Sequence, residues 1–285
     1  MTKILYIHDK EDWAIHNVGK LWLENLSNKI FVDFLKRPTL NVLNNYDYVW
    51  FGYHTLWLKN YRSFEKNKTI ISVHDPCELS GVNKDIIEDR IVVTTSHQMN
   101  SFLLNIGIKV NQIIPTTGSL EYKDIIKNEK EVKLFTISSS QNRKNISSIQ
   151  SLFERCSKEL NIKCYCKIGS NNILSKHDYL KIFDDFNLYV CMSKQEGGPL
   201  PAMEAMQRGC GVLSTNVGQM PELINNNGFI LKENEFFDKI VWIQNNIEWL
   251  NRARIESINI MKTKRDYNDI RNIVKNFLNR IGVIC

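Results

Sequence analysis

The stretch from Leu188 to Gly209 limits the possible folds more than any other part of the chain. Leu188-Tyr189-Val190-Cys191-Met192 is a short, nearly continuous apolar run. That is the pattern of a strand buried on both faces of a parallel sheet. It leads through Ser193-Lys-Gln-Glu196 into Gly197-Gly198-Pro199-Leu200-Pro201, and then into a helical pattern that stops at Gly209. The paired glycines remove side chains where the main chain must come close to something else. Pro199 and Pro201 suit a first helical turn, where a missing N–H costs nothing. Gly209 is placed as a C-cap, which gives a helix of about two to three turns.

The same strand–helix alternation runs through the whole chain. Residues 3–8, 31–35, 48–52, 69–73 and 91–95 read as strands, and 13–26, 55–64 and 98–105 as helices. Ile113-Ile-Pro115-Thr-Thr-Gly118 closes a first domain, 1–118, and the polar stretch 119–131 reads as a linker. A second series opens with Lys133-Leu-Phe-Thr-Ile137 and occupies 132–262. Residues 263–285 carry an amphipathic helix (Ile270, Ile273, Val274, Phe277, Leu278, Ile281). Such alternation predicts an α/β protein with doubly wound parallel sheets, and ligands in such sheets bind at the carboxyl ends of the strands.

Two carboxylates bracket the Gly-Gly-Pro turn. Glu196 precedes it, and Glu204 lies about 7 Å further along the helix at 1.5 Å per residue. The free amides and positive dipole end of that helix form an anion site. A nucleoside diphosphate sugar can span these points, with phosphates on the amides and hydroxyls on the acids. An ordinary strand–turn–helix with solvated glutamates is the plainer reading. The downstream order Gly218…Pro221-Glu222 weighs against it.

In these residues the chain resembles the group 1 glycosyltransferases, retaining enzymes of the GT-B fold. The signature is two glutamates separated by seven residues, here Glu196 and Glu204. Its flanks are the Gly-Gly-Pro-Leu turn, Glu-Ala-Met and Val-Gly-x-x-Pro-Glu-Leu. The resemblance implies two facing Rossmann-like domains, the N-terminal one short, with the last helix returning to the first domain. It implies that Glu196 holds the donor sugar, that Glu204 holds the ribose, and that the Gly197, Gly198 and Leu200 amides around Pro199 meet sugar or phosphate oxygens. No metal or other cofactor is implied, because protein cations and helix amides neutralise the leaving diphosphate. The family places an Arg and a Lys in the first loop of the second domain. Lys144 fits the second slot. Serines occupy the first, so either Arg143 supplies the charge from nearby or Ser139 binds through its hydroxyl alone.

The resemblance also places His74, just past the strand 69–73, near the donor sugar as a hydrogen-bond donor or proton handler. Asp9, Trp13, Asp75 and His97 are the acceptor-side candidates, with His54 ranked lower. The implied reaction moves a glycosyl unit to a hydroxyl of a glycan, lipid-linked or protein acceptor with retention. The alternative is a non-catalytic nucleotide-sugar or glycan-binding protein on a decayed transferase fold. Asp184-Asp185, the nearest candidate for a metal pair, reads as a polar loop.

Composition adds bounds. The formal charge of +6 over 285 residues weakly favours anionic partners. The basic residues follow no nucleic-acid motif. Seven cysteines at irregular spacing imply neither zinc nor a disulfide framework, and reduced thiols in a cytoplasmic protein are expected. Cys164-Tyr-Cys166 is read as a strand with its thiols on opposite faces. No apolar stretch has the length of a membrane span. Residues 57–68 mix aromatic and basic side chains, as helices lying peripherally on the inner membrane face do; a core-packed helix with a wet face shows the same pattern.

Overall fold

The computed structural model describes residues 1–11, 14–53, 61, 64–79, 87, 89–124, 127–169 and 174–283. In chain order the elements are β1 (Thr2–His8), α1 (Ala14–Leu23), β2 (Ile30–Lys36), α2 (Leu40–Leu43), β3 (Tyr48–Phe51), β4 (Thr69–Val73), β5 (Ile91–Thr94), α3 (His97–Asn105) and β6 (Gln112–Ile113). Then follow β7 (Lys133–Ser138), α4 (Ile146–Leu160), β8 (Lys163–Ile168), α5 (Lys176–Asp185), β9 (Leu188–Cys191), α6 (Leu200–Gln207), β10 (Gly211–Ser214), α7 (Met220–Leu223), β11 (Gly228–Ile230), α8 (Phe236–Gln244), α9 (Ile247–Lys264) and α10 (Tyr267–Arg280). The chain divides into two compact units, one of residues 1–116 and 265–285 and one of residues 117–264.

The first unit is a six-stranded sheet in the order β2-β1-β3-β4-β5-β6, parallel throughout. Its order reverses between β1 and β3. Ile4, Leu5, Tyr6 and Ile7 of β1 are all fully buried, as a continuous apolar run in a central parallel strand must be. α10 packs against α1. Phe277 meets Trp50 edge-on at 5.8 Å, and the Tyr48 hydroxyl donates to the Ile281 carbonyl at 2.9 Å. The helix read over 55–64 lies largely outside the described residues. Within it, Tyr61 and Phe64 are buried.

The second unit is a five-stranded parallel sheet in the order β11-β10-β9-β7-β8. Both faces are covered. Leu134, Leu188 and Val190 point into a cluster with Ile149, Phe153, Cys156 and Phe236. Their strand neighbours Phe135, Tyr189 and Cys191 point into another with Phe183, Met203 and Met206. The period-2 alternation of strands filled on both sides explains why these runs read as uniformly apolar.

Three expectations need restating. The described residues of 119–131, a stretch read as a linker, are folded into this unit. Leu120 joins the core, Arg254 donates to the Lys127 carbonyl at 2.7 Å, and Asn251 holds both main-chain groups of Glu129. Cys164 and Cys166 do not point to opposite faces. Residues two apart share a face in a strand, and both pack on the α4 side of the sheet, with Tyr165 between them on the other side. Asp184-Asp185 closes α5 instead of forming a loop. Asp184 accepts from Arg208 at 2.8 and 2.9 Å and pairs with Lys123 at 3.0 Å, which holds the helix end down.

Candidate active site

In the second unit the strand order reverses at β7. The chain passes from β7 through α4 to β8 on one side, then through α5 to β9 on the other. The loops leaving the carboxyl ends of β7 and β9 therefore lie side by side. This is where an open α/β sheet offers a crevice. They are the two loops that carry the predicted donor residues, Ser139–Lys144 and Glu196–Leu200.

Glu196 joins them. Its carboxylate is buried, at 8% exposure. Oε1 accepts from Lys144 Nζ and, at 2.8 Å, from Ser193 Oγ. Oε2 lies 3.4 Å from an Arg143 NH1 that also donates to the Gln195 carbonyl at 3.0 Å. Main chain reinforces the pairing, as Lys194 N donates to Arg143 O at 2.7 Å. Lys144 precedes Asn145, whose φ of 53° starts α4, and the Asn145 side chain is tied to Glu233 at 3.0 Å. The basic end of the loop is thus anchored from both sides. Ser139 lies exposed just past β7 and is not part of this cluster.

The turn itself is held by a glycine twenty-one positions further along, in the motif's downstream arm. Gly218 has φ +53°, and a Cβ there would lie 2.4 Å from the Gly197 carbonyl oxygen and 2.9 Å from that of Glu196. Only glycine permits this backbone-on-backbone contact. Thr215 Oγ1 supports the same turn by donating to the Ser193 carbonyl at 2.5 Å. α6 then begins at Leu200 with Pro199 as N-cap and Pro201 in the first turn. Among the described residues, the amides of Gly197, Gly198 and Leu200 donate to no protein acceptor. Such open amides at the start of a helix suit an anion.

Glu204 points elsewhere. It is buried at 6% exposure, and among the described residues its carboxylate pairs with no cation. Oε1 accepts from Ser119 Oγ at 2.5 Å and Ser119 N at 3.4 Å, and Oε2 accepts from Tyr179 OH at 2.5 Å. Burial holds its carboxyl above the usual carboxylate range, and the bonds from Ser119 and Tyr179 oppose that rise. Gly118 lets the chain lie flat on α6, because a Cβ there would meet Gln207 Oε1 at 2.3 Å and Glu204 N at 2.9 Å. Ser119 and Tyr179 are the residues that sequence reasoning missed. One sits in the stretch read as a linker, and the other in a helix that precedes β9.

The candidates of the first unit cluster at the carboxyl ends of its strands. His74 follows β4 and is buried, with Nε2 2.7 Å from the Gly52 carbonyl and its ring stacked beside Trp22 at 6.4 Å. A carbonyl only accepts, so Nε2 carries the proton. Asp75 is buried beside it. Asp9 follows β1 half-buried and accepts from Lys10 N at 2.8 Å. His97 is exposed as the first residue of α3 behind the capping Ser96. Trp13 and His54 lie outside the described residues. His8, which was not singled out, stacks on His16 at 4.3 Å. Burial is the first cause that lowers its basicity and His16 the second.

The cysteines of the second unit are free thiols, and burial pushes those of Cys156 and Cys210 up to about 12 and Cys164 to about 11. They are inert packing side chains at neutral pH.

Residues 123–246 match the family model described as group 1 glycosyl transferases. Among solved structures, the chain is similar to sucrose-phosphate synthase from Thermosynechococcus elongatus, at 14% identity and TM-score 0.76 over 99% of each chain. It is similar to HepE from Anabaena, solved with UDP-glucose, at 11% identity and TM-score 0.72 over 98% of this chain and 100% of that one. A third is WaaG, a glycosyltransferase involved in lipopolysaccharide biosynthesis, at 12% identity and TM-score 0.67 over 96% and 99%. No curated protein sequence matches the chain. Over residues 123–246 the chain is thus similar to group 1 glycosyl transferases, and it shares the GT-B fold of these solved structures.

Proposed function

We propose that the protein transfers a sugar from a nucleoside diphosphate sugar to an acceptor hydroxyl, with retention at the anomeric carbon and without a metal ion. The observation that carries this reading is the buried Glu196 carboxylate, held by Lys144, Arg143 and Ser193 beside the open amides of Gly197, Gly198 and Leu200. A carboxylate fixed in this way accepts sugar hydroxyls. The neighbouring cations and amides stabilise charge as the diphosphate leaves.

No nucleophile is assigned to the protein. A departing diphosphate oxygen takes the acceptor proton on the face from which it leaves, and the site contributes orientation and electrostatics. His74, buried just past β4 with Nε2 2.7 Å from the Gly52 carbonyl, is the candidate hydrogen-bond donor or proton handler for the donor sugar. Asp9, Asp75 and His97 remain candidates for the acceptor side. UDP-sugars head the donor series to test, because HepE was solved with UDP-glucose. A glycan or lipid-linked acceptor is the expected class, as with WaaG in lipopolysaccharide biosynthesis. Among the described residues no helix is long and apolar enough to cross a membrane.

One observation favours a second reading, a binder without turnover. Arg143 is spent on Gln141, Gln195 and Glu196, and Ser139 brings no charge. Incubation with UDP-, GDP- and ADP-sugars in the presence of EDTA separates the two readings. Release of nucleoside diphosphate with an α-linked product from an α-linked donor supports retaining, metal-free transfer. Binding heat without release supports the binder. Glu204→Ala should weaken nucleoside diphosphate binding about tenfold to a hundredfold, as loss of hydrogen bonds to a charged acceptor does. Calorimetry checks it, and unchanged affinity would remove Glu204 from the site.

A further inference from the structure

Among the described residues no cation holds the Glu204 carboxylate in place, yet both of its oxygens are occupied from opposite sides. Ser119 reaches Oε1 from the segment that enters the second unit, and Tyr179 reaches Oε2 from α5. Three of the roughly four lone-pair positions of a carboxylate are thereby used, one of them by the long contact from Ser119 N. The open capacity lies on Oε2, beside the phenol. Tyr179 is itself fixed, with its ring edge-on to Phe183 at 5.0 Å. Burial, and then the Glu204 carboxylate, push its phenol far above the ordinary range, so it stays a donor at any working pH.

We propose that Tyr179 and Ser119 are positioning residues for the donor's ribose, holding the Glu204 carboxylate so that Oε2 presents its remaining lone pair to a ribose hydroxyl. This inference rests on the donor-site reading above. Neither side chain needs to touch the nucleotide. Their effect passes through the orientation and the charge of Glu204. Among the described residues the groups around the carboxylate are few. Ser119 and Tyr179 donate to it, Tyr189 on β9 lies behind Tyr179, and Gln207, one turn along α6, is engaged with Gly118 and Leu120.

The sign of the pH effect follows. Burial favours the neutral acid, and the two hydroxyl donors favour the carboxylate. Removing a donor moves the Glu204 titration upward. A ribose hydroxyl is held best by the ionised form. Nucleotide affinity should therefore fall at low pH, and the acid limb should shift to higher pH in a donor-deleted variant.

The test is calorimetric titration of the full-length protein with UDP, GDP and ADP and with their 2′,3′-dideoxy forms, from pH 5 to pH 9. It compares wild type, Tyr179→Phe and Ser119→Ala. Tyr179→Phe keeps the ring that packs on Phe183, and Ser119→Ala removes the other anchor if the first variant is unstable. The expected result is a fivefold to twentyfold loss of ribonucleotide affinity in each variant. The dideoxynucleotide should lose little, and the acid limb should move upward. Equal losses for the ribo and dideoxy forms would overturn positioning and leave a packing role. Wild-type affinity in both variants would also overturn it, while Glu204→Ala would still report on the donor site. If no nucleoside diphosphate binds the wild type, the donor-site reading fails and the inference fails with it.

Discussion

Replacing Glu196 with alanine should cost about 10²- to 10³-fold in turnover, the range seen when one preorganised electrostatic contact to a transition state is removed. Affinity for the free nucleoside diphosphate should stay at the wild-type level or rise. The two effects separate because the cluster holds two cations against one carboxylate. Lys144 and Arg143 both rest on Glu196. Deleting the acid releases them toward the diphosphate, so the anionic half of the donor loses nothing. The sugar half loses its acceptor, and the reacting carbon is no longer held in line with the incoming hydroxyl. Steady-state kinetics together with calorimetry on the same preparation read both quantities. A parallel fall in affinity and turnover, with a lowered melting temperature, would mean that Glu196 serves only to pin its loop.

Gly218→Ala should destabilise the protein by about 2–5 kcal/mol and weaken donor binding at least tenfold. Part of the cost is the left-handed backbone, where a Cβ adds about 1–2 kcal/mol. The rest is overlap. A Cβ 2.4 Å from the Gly197 oxygen meets main chain, which cannot rotate away as a side chain can. The relief available is a shift of the Glu196–Gly197 segment, at an overpacking cost of about 1–3 kcal/mol. That shift tilts the open amides and pulls Glu196 from Lys144. Thermal or denaturant unfolding gives the stability term, and titration with the nucleoside diphosphate gives the binding term. Unaltered stability would show that the two loops move independently.

Much of this site was legible in the sequence because its chemistry is local. Apolar runs bounded by small residues marked β1, β4, β7 and β9, and the glycine–proline turn located the start of α6. The seven-residue spacing marked Glu196 and Glu204. Gly218 was visible as part of a motif, although its reason, contact with a carbonyl twenty-one positions earlier, needed three dimensions. What stayed hidden depends on distant segments. Ser119 meets Glu204 across 85 positions, and Tyr179 meets it across 25, from a helix not singled out in the sequence. Polar composition made 119–131 look like a linker. Its hydrogen bonds to α6 and α9 outweigh that composition. Asp184-Asp185 looked like a loop on propensity, and pairing with Arg208 and Lys123 carries the helix through it.

The account stands on the second unit's loops forming one donor site. The most direct measurement is a crystal structure of the full chain with an intact nucleoside diphosphate sugar. The account predicts diphosphate oxygens within hydrogen-bond reach of the Gly197, Gly198 and Leu200 amides, sugar hydroxyls on Glu196 and a ribose hydroxyl on Glu204 Oε2. A nucleotide seated away from the β7 and β9 loops, with Glu196 still closed on Lys144 and Arg143, would contradict it.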